Sequence, residues 1–419
     1  MSTPGKSSGY LEVLRQRDFA IIWSGKIVSN LGDALRNVAL IWLVRDLTGS
    51  TLAMGTVMLC AVLPYLVFGL FAGSVVDLAD RKKIMIWSDI ARGILSLAVP
   101  VLLWSGSLRY WQLCLLALVM SSISTLFGPA MMASIPSVVG KEQLLGANAL
   151  TSLGNQISGV AGPALGGAIV GLAGTAFAFL LDGVSFLISA ATIYLARIPG
   201  VRPTEGTPAV NVREVLNGVR QGFAFVLGQP LLTGVLFVAV GLNFVLAPAT
   251  ILLATHVDAV WGLGAQVFGY LASINSAAMV VGTLLVGLIV ARVRREILIP
   301  VAVGIMGLSF GGLVFGITLG FGVLSMVAMG LVNPMINLPL QTWLMEITPD
   351  RIRGRVFSAV DVGCQMATPV SLALCGFAAD AFGTRAIFGL MMVVTVLGAF
   401  VMAGVFRKHG HEMASALAD

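Results

Sequence analysis

Apolar stretches of about 20 residues recur along the chain, from Phe19 to Phe406. A stretch of that length, folded as a helix, is long enough to cross the hydrocarbon core of a bilayer. The chain is 58% hydrophobic and only 11% charged, so it has too little polar surface to cover a water-soluble globule of 419 residues. The sequence therefore predicts an all-α membrane protein with twelve transmembrane helices, near residues 19–44, 52–76, 84–106, 110–135, 147–171, 175–197, 231–253, 265–290, 297–319, 322–345, 356–381 and 385–406.

One long polar stretch, 198–230, separates the first six predicted spans from the last six. We expect an N-terminal bundle at 1–197, a cytoplasmic linker at 198–230 with a surface amphipathic helix at 212–227, a C-terminal bundle at 231–406 and a tail at 407–419. A shift of 209 positions pairs Gly154 with Gly363, Gln156 with Gln365 and Gly167 with Gly376. Parallel repeats predict such matches, which indicates two pseudo-symmetric six-helix bundles.

Most of the 25 Lys and Arg residues fall in loops on the side of the membrane that also holds both termini. Cytoplasmic loops carry this excess, so the sequence predicts that both termini are cytoplasmic. The net charge of +6 then follows from topology, and we expect no nucleic-acid partner. The basic loops are equally suited to contacting lipid headgroups.

Side chains that could hold a metal or perform covalent chemistry are few and scattered. The four cysteines lie inside apolar runs, and the three histidines show no ligand spacing. No phosphate-binding G-x-x-x-x-G-K-[ST] loop is present in the sequence. We therefore predict no metal, no cofactor and no enzymatic activity.

The first span carries one polar face on an otherwise apolar helix. Charged groups at membrane depth are costly, so this face is expected to line water or protein rather than lipid. Asp33 has two interpretations that the sequence leaves open: a protonatable or cation-binding carboxylate, or a structural pair with Arg36 three residues on. The face consists of Lys26, Ser29, Asn30, Asp33, Arg36 and Asn37.

Three further polar stripes follow helical spacing on spans five, ten and eleven. They predict either a central pathway for a ligand or amides that bond to neighbouring helices. Asp89, Arg92 and Asp182 lie on other spans, and we interpret them as structural ion pairs. The stripes are Ser152, Asn155 and Gln156; Asn333, Asn337 and Gln341; and Ser358, Asp361, Gln365 and Thr368.

The loop after the second span resembles the signature G-x-x-x-D-R-x-G-R-R-K of the major facilitator superfamily. The matching residues are Gly73, Asp77, Arg81, Lys82 and Lys83, whereas Leu78 and Asp80 depart from the pattern. The resemblance implies that Asp77 caps the start of span eleven when the cytoplasmic side is closed, with Gly73, Arg81 and Lys82 completing a gate. The alternative is a loop carboxylate that is balanced by Arg81 and Lys83.

Span five contains Ser158, Gly162, Pro163, Gly166 and Gly167, which resembles the G-x-x-x-G-P-x-x-G-G element of antiporter branches. The resemblance implies a helix bend at Gly162, Pro163, Gly166 and Gly167, and close helix packing is the alternative. The strings at 127–130 (FGPA), 147–150 (ANAL) and 353–356 (RGRV) are similar to the macrolide-efflux and enterobactin-exporter branch.

This resemblance implies a secondary active efflux transporter in a bacterial cytoplasmic (inner) membrane. We expect it to export small amphipathic molecules, drug-like or siderophore-like, by alternating access, as a monomer in membrane lipid. We also expect coupling to protons, although no charged residue lies between Trp111 and Lys141, where drug/proton antiporters of other branches place an arginine. The stripes of spans one, five, ten and eleven would line the substrate and ion pathway. An importer or lysolipid flippase of the same fold, and a receptor or assembly subunit without transport, remain alternatives.

Overall fold

The computed structural model describes residues 10–77, 79–199, 212–316, 318–350 and 352–416. In these ranges the regular structure is helical and contains no strand. The helices are α1 (Tyr10–Arg15), α2 (Arg17–Thr48), α3 (Thr51–Asp77), α4 (Arg81–Trp104), α5 (Tyr110–Val138), α6 (Leu144–Ala173), α7 (Thr175–Leu195), α8 (Val212–Leu227), α9 (Pro230–Leu246), α10 (Ala249–Ala259), α11 (Ala265–Val290), α12 (Arg295–Ser309), α13 (Gly311–Val314), α14 (Leu319–Ile347), α15 (Arg353–Phe382) and α16 (Thr384–Ala416).

Twelve stretches of the described chain are long and apolar enough to cross a membrane. Ten are single helices, while α9 with α10 and α12 with α13 each supply one stretch, at Leu232–Ala259 and Arg295–Val314. Helices suit a bilayer because they satisfy every backbone N–H and C=O within one segment. The predicted all-α fold with twelve spans is confirmed.

The seventh and twelfth spans extend furthest beyond their predicted ends. The seventh is interrupted between Leu246 and Ala249, because Pro248 has no backbone N–H to continue the hydrogen-bond ladder of α9. The span then continues as α10 to Ala259, six residues beyond the predicted end at 253. The last helix runs to Ala416, so much of the predicted tail at 407–419 is helical.

Residue contacts divide the chain into two compact units. Unit 1 comprises Met1–Leu47 and Cys60–Val210, and unit 2 comprises Thr48–Leu59 and Asn211–Asp419. Most predicted helices fall in the expected half. The exception is the first part of α3, which groups with unit 2 because its first turn is bonded to α15.

Within unit 1, glycines allow α2 to lie close to both α6 and α7. A Cβ on Gly32 would lie 2.1 Å from the hydroxyl of Ser185, and a Cβ on Gly162 would lie 2.3 Å from the Cβ of Ala34. Small residues permit this approach where lipid supplies no hydrophobic driving force between helices. One side of α2 is therefore packed against α6 and α7, whereas Asn37 of its polar face is exposed.

Unit 2 is built around a core of large apolar side chains, which includes Val303, Met306, Trp343 and Met402. Helix α14 packs on α11 and α12, and α15 packs on α8, α9 and α16. The predicted linker helix forms as α8, and it lies so close to α15 that a Cβ on Gly222 would come within 2.1 Å of the Arg355 carbonyl oxygen. One side of α8 is thus covered by α15, while its place on a membrane surface stays a prediction.

Candidate functional site

Unit 1 holds six charged side chains together on three transmembrane helices. Three are acids and three are bases, so their formal charges cancel. Burying ions in a low-dielectric interior is tolerated when each is paired and hydrogen-bonded. We call this group the charged cluster: Lys26, Asp33 and Arg36 of α2, Asp89 and Arg92 of α4, and Asp182 of α7.

Arg36 links two carboxylates. Its Nη2 lies 2.7 Å from Asp33 Oδ1, and its Nε lies 3.3 Å from Asp182 Oδ2. The Asp33 side chain is 27% exposed, whereas that of Asp182 is fully buried. Ser96 donates a hydrogen bond of 2.7 Å to Asp182 Oδ2, while Oδ1 of Asp182 has no hydrogen-bond partner among the described residues. One guanidinium is therefore shared by an accessible carboxylate and a buried one.

The other two cations lie against aromatic rings. Arg92 is 2.5 Å from Asp89 Oδ1, and its guanidinium lies 4.8 Å from the ring centre of Phe127 and 4.3 Å from that of Phe186. Lys26 Nζ lies 4.7 Å from the centre of the same Phe127 ring. Aromatic faces attract cations and partly replace their hydration. The interpretation of Asp89, Arg92 and Asp182 as ion-paired groups is confirmed.

The predicted stripes of spans one and five meet inside unit 1. Asn30 Nδ2 donates to Asn155 Oδ1 at 2.8 Å, and the indole N–H of Trp23 donates to the Leu150 carbonyl at 2.8 Å. Asn37 and Gln156 are exposed rather than part of this contact. The α2–α6 seam is thus polar at two points.

A cavity of about 320 Å³ lies within unit 2, and we call it the amide cavity. Its polar lining comes from Asn243 of α9, Asn333 and Asn337 of α14, and Thr368 of α15, and its walls are leucine, isoleucine, methionine and alanine. Asn337 Nδ2 donates to the Asn333 carbonyl at 3.0 Å, and Asn243 Nδ2 donates to the Ala239 carbonyl at 3.1 Å. These bonds orient the amides of Asn337 and Asn243, and Asn337 Nδ2 also donates to Asn333 Oδ1 at 3.1 Å. Apolar walls therefore surround a few oriented polar groups, as in ligand sites.

The structure gathers only part of the predicted pathway around this cavity. Gln341 and Asp361 are exposed and Gln365 is half-buried, and none of the three is among the described residues that line it. Asn243 was missed by the sequence reasoning. Asn243 is the single amide in the otherwise apolar sequence of α9, and this isolated polar residue could have indicated a ligand-facing position.

The first turn of α4 contains basic residues that bond to backbone carbonyls of other helices within unit 1. Lys82 Nζ donates to the carbonyls of Tyr194 and Ala196, both at 2.8 Å, and so caps the end of α7. Arg81 Nη1 donates to the carbonyl of Ala133 at 2.8 Å. Asp80, which departs from the superfamily pattern, caps α4 by accepting from the Lys83 amide at 3.2 Å. The structure describes Gly73 and Asp77 only as part of the backbone of α3, so the gate stays a prediction.

The glycines of span five lie where close packing needs them. Gly162, Gly166 and Gly167 are buried, and a Cβ on Gly166 would lie 3.1 Å from the Leu35 Cα atom. Pro163 lies inside α6. The packing interpretation of this element therefore has direct contacts in its favour, whereas the bend remains a prediction.

Nearly the whole chain is similar to known membrane transporters. The family described as "Transmembrane secretion effector" matches residues 8–413. Macrolide efflux protein A of Streptococcus pyogenes is 29% identical over 93% of this chain and 96% of its own length. Multidrug efflux pump Tap of Mycolicibacterium fortuitum is 26% identical over 90% of this chain and 93% of its own length.

Solved structures share the fold at low identity. The bacterial homologue of the human lysosomal transporter Spinster has a TM-score of 0.71 at 15% identity, over 96% of this chain and 98% of that one. The nucleoside transporter NupG has a TM-score of 0.73 at 13% identity, over 92% of this chain and 100% of that one. The resemblance to the major facilitator superfamily and to its macrolide-efflux proteins is confirmed. The chain therefore belongs to the transmembrane secretion effector family, and it is an efflux-type transporter of the major facilitator superfamily.

Proposed function

We propose that this transporter exports small amphipathic molecules in exchange for protons, by alternating access, across a bacterial cytoplasmic membrane with both termini in the cytoplasm. Its relatives in Streptococcus and Mycolicibacterium are named for macrolide and multidrug efflux, which supports the direction and the substrate class. The excess of Lys and Arg on the side of the termini supports the orientation.

The amide cavity is the observation that carries the proposal. Oriented amides on apolar walls suit the hydroxyl and carbonyl groups along one edge of a large, mostly apolar molecule. Met306 and Met402 line the cavity, and methionine adapts to substrates of different shape. Its described lining carries no charged side chain, so we favour a macrolide-like drug over an anionic siderophore.

The charged cluster supports the exchange for protons. Asp33 is the more accessible of the two carboxylates that share Arg36, so a proton can reach it from water. Protonation of Asp33 would leave Arg36 to Asp182 alone, and loss of the proton would draw the guanidinium back. Two coupled carboxylates around one cation therefore provide two arrangements that differ by one proton.

The charged cluster and the amide cavity suggest roles for the other polar residues of the predicted pathway. We propose that Lys26, Asn30 and Asn155 shape the ion side of the pathway in unit 1, and that Asn333 and Asn337 contact the substrate in unit 2. We also propose that a single chain surrounded by membrane lipid is the transporting unit.

The test is uptake of a radiolabelled macrolide into inverted membrane vesicles from cells that express the chain. We expect accumulation several-fold above vesicles that lack it, and we expect a protonophore to abolish the difference. Accumulation that persists in the presence of the protonophore would contradict the proposed exchange for protons. Macrolide binding without flux would favour a receptor, and gradient-driven movement out of the inverted vesicles would favour an importer.

A further inference from the structure

Asp380, two residues before the end of α15, binds the first turn of α3. Its Oδ1 accepts from the Thr51 backbone N–H at 2.7 Å, and its Oδ2 accepts from the Leu52 N–H at 3.1 Å and from the Ser50 hydroxyl at 2.6 Å. All of these residues belong to unit 2. The first amides of a helix have no partner within the helix, so a carboxylate from 329 positions away serves as the cap of α3.

Glycines keep the two helices close enough for this cap to form. A Cβ on Gly376 would lie 2.9 Å from the Leu52 Cα atom, and a Cβ on Gly55 would lie 2.6 Å from the Leu372 carbonyl oxygen. Thr51 is 1% exposed, and its hydroxyl lies 3.2 Å from that of Thr255. The start of α3 is therefore held by hydrogen bonds and by direct backbone contact.

Helix α3 is continuous from Thr51 to Asp77, yet its two parts belong to different units. Residues 48–59 group with unit 2 and residues 60–77 group with unit 1. A change in the arrangement of the units must therefore either bend α3 or release its first turn from α15. Hydrogen bonds from one exposed side chain can be broken and remade within a transport cycle.

We propose that Asp380 is a positioning residue for transport, a releasable cap that holds the start of α3 in one state of the cycle. The superfamily resemblance implies that Asp77, at the other end of α3, caps the start of α15. Helices α3 and α15 would then carry one cap at each end, about 39 Å apart along α3. This inference rests on the proposed alternating access, in which the two caps form in opposite states.

Amide hydrogen exchange of the purified full-length protein tests the inference at residues 50–56. Asp380→Asn is expected to speed exchange at Thr51 and Leu52 at least five-fold. Asp77→Asn is expected to slow exchange in the same segment at least two-fold, because weakening the opposite cap raises the population in which the Asp380 cap is formed. Asp350 is an exposed carboxylate of unit 2, so Asp350→Asn is the matched control. It is expected to leave the exchange rate at residues 50–56 unchanged.

A purely structural cap predicts a different pattern. If Asp77→Asn leaves exchange at residues 50–56 unchanged, or if Asp380→Asn leaves it unchanged, the proposal is overturned. The Asp77→Asn variant keeps Asp380 intact, so its exchange rates test the proposal even if Asp380→Asn fails to fold.

Macrolide uptake into inverted vesicles separates this proposal from the proposed function. We expect Asp380→Asn to lower uptake at least five-fold, with Asp350→Asn at the wild-type level. Equal uptake by the two variants would refute the role of the cap in transport. If the wild-type protein moves no macrolide but both exchange changes occur, the substrate assignment fails and the reciprocal caps stand.

Discussion

The two units treat polar groups at membrane depth in different ways. Unit 1 gathers six charges whose acids and bases are paired, bonded to Ser96 or placed against Phe127 and Phe186. Unit 2 uses neutral amides and leaves a cavity of about 320 Å³ beside them. A buried charge needs close partners, whereas an amide tolerates a free acceptor that faces a cavity.

This difference suggests a division of labour. A packed, balanced group of charges responds to one added proton but has little room for an organic molecule. An amide-lined cavity has room for part of such a molecule but no group that titrates near neutral pH. We therefore propose that unit 1 exchanges the ion and that unit 2 contacts the substrate.

The charged cluster is expected to dominate the stability of unit 1. Asp182→Ala removes a fully buried carboxylate, so that Arg36 keeps only Asp33 and Ser96 keeps only the Phe179 carbonyl. Breaking a buried pair from one side costs about 3–5 kcal/mol, so the thermal unfolding temperature of the purified protein is expected to fall sharply. Asp350→Ala, whose side chain is 88% exposed, is the control and is expected to unfold like the wild type. Equal unfolding temperatures for the two variants would contradict a cluster held by mutual pairing.

The close contact between α2 and α6 at Gly162 is expected to show in the stability of the protein. Gly162→Ala places a Cβ 2.3 Å from that of Ala34, whereas Gly241→Ala in unit 2 meets no atom within 4 Å. Overpacking of this kind costs about 1–3 kcal/mol, so only Gly162→Ala is expected to lower the unfolding temperature. If Gly241→Ala lowers the unfolding temperature as much as Gly162→Ala does, the loss of stability is not caused by the contact with Ala34.

The amide cavity is expected to govern transport without governing stability. Asn333→Leu removes a polar group from the cavity and the side-chain acceptor of Asn337. We expect macrolide uptake to fall about ten-fold, equivalent to about 1.4 kcal/mol, with an unchanged unfolding temperature. Gln341→Leu, on the same helix but outside the cavity, is the matched control. If both variants lose uptake equally, the pathway follows the whole stripe of α14 rather than the cavity.

The smallest effect is expected at the seam between α2 and α6. Asn155→Ala removes the acceptor of the Asn30 amide, and interhelical hydrogen bonds in membranes contribute about 0.6 kcal/mol on average. We expect a slight fall in unfolding temperature that the neighbouring exposed Gln156→Ala does not show. A fall as large as that of Asp182→Ala would mean that this amide pair is part of the charged cluster.

Local spacing predicted much of the fold and part of the site. The apolar runs set the twelve spans, and Asn333 and Asn337, four residues apart on one helix, do share a cavity. The spacing of Asp33 and Arg36 likewise allowed the pair that forms. These features depend on one helix at a time, and a helix turns through about 100° per residue whatever surrounds it.

Partners from distant helices could not be derived in this way. Nothing in the local sequence indicates that Arg36 also binds Asp182, that Asn243 faces Asn333, or that Asp380 caps α3. Each depends on how helices pack, and small residues such as Gly32 and Gly376 set that packing through contacts that one sequence does not reveal. Neither the break at Pro248 nor the continuation of the span beyond residue 253 was predicted from the sequence.

Proton release on substrate binding tests the division of labour most directly. A macrolide is added to the purified protein in weakly buffered detergent solution that contains a pH indicator, and binding is measured in parallel. The wild type is expected to release protons as it binds, and Asp33→Asn is expected to bind without release. Asn333→Leu is expected to bind about ten-fold more weakly and to release protons only in proportion to that binding. Release from Asp33→Asn equal to that of the wild type, or full binding by Asn333→Leu, would contradict the assignment of protons to unit 1 and substrate to unit 2.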